Sequence, residues 1–237
     1  MNIAGSGSIP GGDYQEAIHI SGSGTVNGSA SCTEFTISGS GKVNGHLHCS
    51  GNVKISGSGT IAGDLDAVSA TISGSGKVDG AFRSEKCSVS GSFHARSLMA
   101  THLHSSGFLK SDKDITAEDA VFHGGVKAGG LINAENLDIV FDASSSADSI
   151  GGSFIKIRRK GLITGLWVRL FGKLKNAHFH VNESIEGDEI DIEYVIADTV
   201  IGKNLKIGPG CKIGRVVYSV AADISTEAEV GTCEKAL

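Results

Sequence analysis

The residues of this chain best suited to chemistry are three His-x-His pairs, His46/His48, His102/His104 and His178/His180, and five cysteines. Alternation along a strand puts both imidazoles of such a pair on one face, an arrangement that suits a transition metal. No third ligand stands at a fixed spacing from any pair, so surface-facing strand histidines are expected and no metal or other cofactor is assigned. The cysteines are odd in number and include no Cys-x-x-Cys, which points to neither a disulfide framework nor a zinc site. Cys32 and Cys49 lie 17 residues apart and read as stacked core thiols, because free cysteine behaves as a small buried hydrophobe. Cys87, Cys211 and Cys233 have no evident base partner, so no nucleophile is assigned. The carboxylate pairs Asp64/Asp66 and Glu118/Asp119 read as solvated surface positions. The residues thus predict a protein that is not an enzyme.

What must position these side chains is a repeat. The phrase Ile-Ser-Gly-Ser-Gly-x-(Val/Ile)-x-Gly begins at Ile20, Ile37, Ile55 and Ile72, at intervals of 17, 18 and 17 residues. A looser copy opens at Ile3, another follows at Val89, and the register resumes around Phe122, Ile139 and Ile155. This period is too short for a helix–turn–helix repeat or a propeller blade. It suits a three-sided coil of short strands: Ile20, Val26 and Cys32 are six apart, as are Ile37, Val43, Cys49 and Ile55. One apolar residue per side is expected to point inward, with Gly and Ser forming the corners. Stacked at about 4.8 Å, nine coils predict a rod on the order of 40 Å long. A phosphate-binding glycine loop would need a lysine and a following helix, and neither accompanies these copies.

Composition agrees with a stack of small residues. There are 34 Gly, 2 Pro and an aromatic share of 5%, so burial must come from many Ile and Val. A net charge of −5 gives no basic stripe and hence no expectation of nucleic acid. No apolar run reaches the roughly 18 residues of a membrane span. The opening Met1–Gly7 lacks the regions of a signal peptide, so the cytoplasm is the expected location.

The pattern changes after Gly151-Gly152. Lys156, Arg158, Arg159, Lys160, Arg169, Lys173 and Lys175 form a basic stretch with no acidic residue between Asp148 and Glu183. Within it Leu162, Ile163, Leu166, Trp167, Leu170, Phe171 and Leu174 follow the spacing of an amphipathic helix, with Arg169 and Lys173 at the margin of the apolar arc. Such a helix can cap a solenoid end or lie on an anionic membrane. Strands then resume, and Ile201, Ile207 and Ile213, six apart and each followed by Gly, predict a shorter hexapeptide-like stack. The expected organisation is a parallel β-helix of about nine coils over 1–153, a basic amphipathic connector over 154–184 and a second β-stack over 185–237.

The Ser-Gly-Ser-Gly-x-Val-x-Gly coils resemble those of the bactofilins, bacterial polymer-forming cytoskeletal proteins. The segment from Ile185 to Tyr194, running on to Ile207–Gly214, is similar to the C-terminal part of longer Gram-positive members. The resemblance implies a right-handed, triangular all-β helix that joins end to end into nucleotide-independent filaments. It also implies membrane association and a role in organising cell shape, envelope or motility proteins. Two features depart from it: the coils begin at Ile3 with no preceding membrane tail, and a second stack follows the first. The expected partner is therefore another copy of the chain, with Ile3 and Ile9 as the polymer-end residues. An anionic membrane surface would meet Arg158, Arg159, Lys160 and Leu162–Leu174. The physics of strand edges points the same way, since an uncovered edge templates further pairing. Two alternatives stand beside the scaffold: a hexapeptide-coil enzyme of acyltransferase type, which would draw on His178 and His180, and a glycan-binding β-helix, which would show an exposed aromatic strip.

Overall fold

A computed structural model describes residues 1–142, 144–161 and 177–236. Every regular element among them is a β-strand, and the strand pairs are parallel. The chain divides into two compact units, Met1–Glu118 and Asp119–Leu237. Each is a parallel β-solenoid.

In the first unit the repeat becomes a ladder. Ile3 pairs in register with Ile20, Ile20 with Ile37, Ile37 with Ile55, Ile55 with Ile72, Ile72 with Val89, and Val89 with Ser105. Each side presents two inward residues, where one was expected. In the coil from Ile18 to Cys32 they are Ile18 and Ile20, Gly24 and Val26, Ala30 and Cys32, and all six are buried. The error lay in sending every glycine of the phrase to a corner. The second glycine of each copy points inward: a Cβ at Gly24 would lie 2.7 Å from Ile20 Cγ2, and one at Gly41 2.7 Å from Ile37 Cδ1. Isoleucine from the neighbouring side already fills that space. Where the column changes, the volume is exchanged: Phe93 stands opposite Gly76, and its ring packs edge-on to Phe82 at 5.1 Å.

The first glycine of the phrase does sit at a corner, for a reason other than positive φ. Any side chain at Gly22, Gly39, Gly57 or Gly74 would collide with the carbonyl oxygen of the glycine one coil earlier. Close approach of stacked backbones, required by the short rung spacing, makes the residue obligatory. The left-handed region is used elsewhere, at Gly28 (φ 115°) and Gly210 (φ 70°).

In the second unit Ile139, Ile157, Ile192, Ile207 and Ile224 form one continuous column. Two expectations are corrected here. The strand Ser149–Arg159 carries the coil past Gly152, burying Ile155 and Ile157. The strands after Phe179 pair directly upon it and upon Ser145–Ala147, so the hexapeptide-like segment continues the same ladder rather than starting another. Of its three six-spaced isoleucines Ile207 and Ile213 are buried as expected, and only the first is out of phase: Val200 is buried and Ile201 is 39% exposed, because alternation with inward Gly202 turns Ile201 outward. The amphipathic helix expected over Leu162–Leu174 lies outside the described residues.

Candidate assembly surfaces

A parallel solenoid satisfies each strand by the coil on either side, so its terminal coils are chemically distinct from all others. At the first coil, Asn2–Ile3 pairs along one edge with Ile18–Ile20, and Ser6–Asp13 pairs with Ser23–Cys32. No strand among the described residues pairs with their opposite edges. Both predicted end residues lie in this coil: Ile3 is buried above Ile20, and Ile9 is half-buried above Val26. Part of the edge is blunted. Pro10 brings no N–H, and its carbonyl accepts a hydrogen bond from the Tyr14 hydroxyl at 2.7 Å. The Met1 ammonium donates to the Ala17 carbonyl at 2.7 Å and pairs with Glu16 at 3.0 Å.

The last strands of the second unit were not named from the sequence. Glu229–Lys235 pairs along one edge with Lys212–Tyr218, and its other edge is unpaired among the described residues. Val230 continues the column above Ile213 and Cys233 that above Val216, while Ala222 and Ile224 extend those of Leu205 and Ile207. Where the deeper rungs are buried, Val230, Ala222 and Ile224 are half-exposed and the Cys233 thiol is open. The charges beside this apolar end are paired within the chain: Lys212 with Glu229 at 2.9 Å and Arg215 with Glu234 at 3.2 Å. The legible signal was the six-residue step from Ile224 to Val230, which the missing Ser-Gly phrase obscured.

The basic stretch divides. Arg158, Arg159 and Lys160 are described, and each has a partner: Arg158 reaches Asp138 at 3.4 Å, Lys160 reaches Asp142 at 3.4 Å, and the Arg159 guanidinium lies 3.5 Å from the centre of the Tyr194 ring. The remaining candidates, Leu162, Ile163, Leu166, Trp167, Arg169, Leu170, Phe171, Lys173 and Leu174, lie outside the described residues. Tyr194 is a contributor that sequence reasoning missed. Only Glu193 and Tyr194 separate the inward residues Ile192 and Val195, and this short corner holds Tyr194 at φ 55°. Gly210 passes against its ring, where a Cβ would overlap it. The ring thus ties the strand that ends at Arg159 to the next two coils.

The histidine pairs all face outward, as alternation dictates, with Leu47, Leu103 and Phe179 buried between them. His46 Nδ1 accepts the Asp64 backbone N–H at 2.9 Å. Among the described residues no cluster of three or more His, Cys, Asp or Glu is suited to hold a metal ion. Burial pushes the Cys87 thiol up to about 12 and the Cys211 thiol up to about 11, which keeps both protonated. Two grooves run across the rungs. One, of about 660 Å³, lies in the first unit between His48, Asp66, Arg83 and Met99 and the row of Val68 and Glu85. The other, of about 810 Å³, lies in the second unit between Asp119, Asn136, Phe154 and Glu189 and the row of Lys156 and Lys206. No helix among the described residues is long and apolar enough to cross a membrane.

Comparison with known proteins finds similarity over part of this architecture. Residues 2–83 match the bactofilin family, described as polymer-forming cytoskeletal, and the resemblance read from the coil phrase is shown over that stretch. The uncharacterized protein YhbF of Bacillus subtilis (strain 168) is 29% identical over 102 residues, covering 43% of this chain and 40% of its own. The uncharacterized protein YhbE of the same organism is 35% identical over 111 residues, covering 46% of this chain and 44% of its own. The chain thus spans less than half the length of these relatives. No solved structure matches it significantly.

Proposed function

We propose that the protein is a non-catalytic cytoskeletal scaffold whose copies join end to end into filaments without nucleotide. The observation that carries this reading is the pair of strand edges, at Asn2–Asp13 and Glu229–Lys235, that no strand among the described residues covers, on a chain whose residues 2–83 match a polymer-forming family. At the second of these edges Val230, Ala222 and Ile224 leave the core columns open, so a further coil supplied by another copy would gain both backbone hydrogen bonds and apolar burial. Head-to-tail contact, or two-fold contacts at both ends, gives an open polymer. Negative-stain microscopy of purified protein without nucleotide is expected to reveal filaments. Monomers alone across salt and concentration would overturn the proposal.

A cytoplasmic location at the inner membrane face belongs to the same reading, with Trp167 and Phe171 as the apolar contacts and Arg169 and Lys173 facing anionic headgroups. Sedimentation with anionic vesicles is expected to fall for a folded Trp167→Glu, Phe171→Glu variant and not to change with neutral vesicles. Unchanged sedimentation removes the membrane from the account. The envelope or motility proteins such a scaffold would organise are a part of the proposal that pull-down from cells can test.

One observation favours a second reading, a glycan-binding surface. Phe154 is 54% exposed in the second unit's groove, beside Asn136, Glu189 and Asn204. Retention on insoluble polysaccharide that disappears in Phe154→Ala would support it, and equal retention of both proteins would dismiss it.

A further inference from the structure

Cys32 and Cys49 occupy the same inward position on adjacent rungs of the first unit and pair directly in register. The column continues through Ala67, Ser84 and Ala100, so a small side chain suffices to fill this position and sulfur is not required for volume. Neighbouring strands lie about 4.8 Å apart, inside the window of roughly 4.4–6.8 Å between Cα atoms that a disulfide needs, and bridging would draw the in-register Cβ atoms a few tenths of an ångström closer, to about 4.5 Å or less. The two thiols are within hydrogen-bonding reach of each other. The Cys49 S–H donates to the Thr33 carbonyl at 3.3 Å and to the Asn52 carbonyl at 3.5 Å, and its strand borders the first unit's groove while the side chain is buried on the inner face.

We infer that Cys32 and Cys49 form a dithiol site that a small hydroperoxide oxidises to an inter-rung disulfide. The two sulfurs have distinct roles. The Cys32 S–H donating to Cys49 holds the Cys49 thiol below its ordinary value against the opposing effect of burial, with the Gly51 and Phe35 backbone N–H groups adding to the lowering and Glu34 opposing it. Cys32 is correspondingly raised, first by this hydrogen bond and then by burial, and keeps its proton. Cys49 is the attacking thiolate. Its sulfur bonds to the near oxygen of the hydroperoxide, the O–O bond breaks, and the far oxygen leaves as hydroxide or alkoxide, which takes up a proton. The Cys49 sulfenic acid then meets the Cys32 sulfur: the S–S bond forms, the S–O bond breaks, and water departs with the Cys32 proton. Two thiols lose two electrons and one peroxide gains them. Cys87 stands opposite Ala70 and Leu103 and so has no second thiol in register to lower it, and burial raises both Cys87 and Cys211.

The test uses the full chain carrying Cys233→Ser, which removes the one exposed thiol. Treatment with stoichiometric hydrogen peroxide is expected to abolish two of the four remaining thiols and remove two hydrogens from the mass. Non-reducing peptide mapping should link Cys32 to Cys49, and a dithiol reductant should restore both. In the added Cys32→Ser background, dimedone is expected to trap a sulfenic acid at Cys49; in Cys49→Ser no thiol should react. Four surviving thiols, or oxygen added to Cys49 with no link to Cys32, would overturn the inference, and differential alkylation of the unmutated pair reports either result if a serine variant fails to fold.

Discussion

The same corner of the coil is built in opposite ways in the two units. In the first, the connection after Ile20, Ile37, Ile55 and Ile72 is a Ser-Gly-Ser turn whose glycine packs against the carbonyl of the glycine one coil earlier. In the second, the corresponding connection runs from Val140 to Ser144, from Arg158 to His178, through Glu193-Tyr194 alone, and through Gly208–Gly210. The inward columns on either side barely notice: Ser145, Phe179 and Val195 stack in register across connections of very different length. Parallel pairing and alternation fix the walls of a solenoid, while a corner is free to lengthen wherever stacked backbones no longer touch. The tight corner enforces glycine; the loose one admits a basic insert and a tyrosine.

The contrast can be broken most severely at the tight corner. Gly57→Val would drive a side chain into the carbonyls of Gly39 and Ser38 and is expected to cost more than about 4 kcal/mol, or to prevent folding. Gly161→Val, at the loose corner with nothing among the described residues near its added Cβ, should leave stability within about 0.5 kcal/mol of the parent in urea unfolding. Equal losses at the two sites would remove the distinction.

Next in size is the column the two corners share. Phe179 is fully buried edge-on to Phe141 at 5.9 Å. Phe179→Ala is expected to cost about 3–5 kcal/mol, read from chemical unfolding. A near-neutral result would mean that the ladder after the insert does not lean on the strand before it.

Much of this was legible because the repeat is a direct image of the ladder. The steps from Ile3 to Val89 gave coil length, parallel pairing and the stacking of Cys32 on Cys49. Less legible was anything that a glycine can do in two ways. The inward Gly24 and the corner Gly22 are the same residue type two positions apart, and only their neighbours separate them. In the second unit, Ile201 and Val200 are interchangeable by hydropathy, and Gly202 decides which of them turns inward. Of the candidate surfaces, Ile3 and Ile9 followed from chain order, whereas Val230 and Cys233 lie where the phrase has decayed. Tyr194 could not be found by pattern, because its role arises from a shortened corner and a guanidinium brought to it by a different coil.

A smaller, opposite effect is expected at Ser105. It stands in the Val89 column, 1% exposed, and its hydroxyl has no hydrogen-bond partner among the described residues. Ser105→Ala should raise stability by about 1 kcal/mol by removing an unsatisfied polar atom. A loss of that size would mean the hydroxyl is bonded.

The smallest effect belongs to surface charge. Asp112 is held below the ordinary carboxylate range by hydrogen bonds from His94 first and Lys110 second. A depressed folded-state value means that its contribution is present above the unfolded carboxylate pKa and is lost as pH falls through the folded one. Titration followed at the Asp112 carboxyl carbon should therefore show a midpoint below the usual range that rises in His94→Ala. An unchanged midpoint would leave the pair without energetic weight.

The claim that copies join through open coil ends is tested most directly by microscopy of wild-type protein doped with increasing fractions of Val230→Glu. The variant carries a charge into the exposed end of the Ile213 column and leaves the described strand pairings in place. Filament length should fall as the doped fraction rises, with no filaments from the variant alone. Filaments of unchanged length at every fraction, or only monomers from the wild type, would contradict the account.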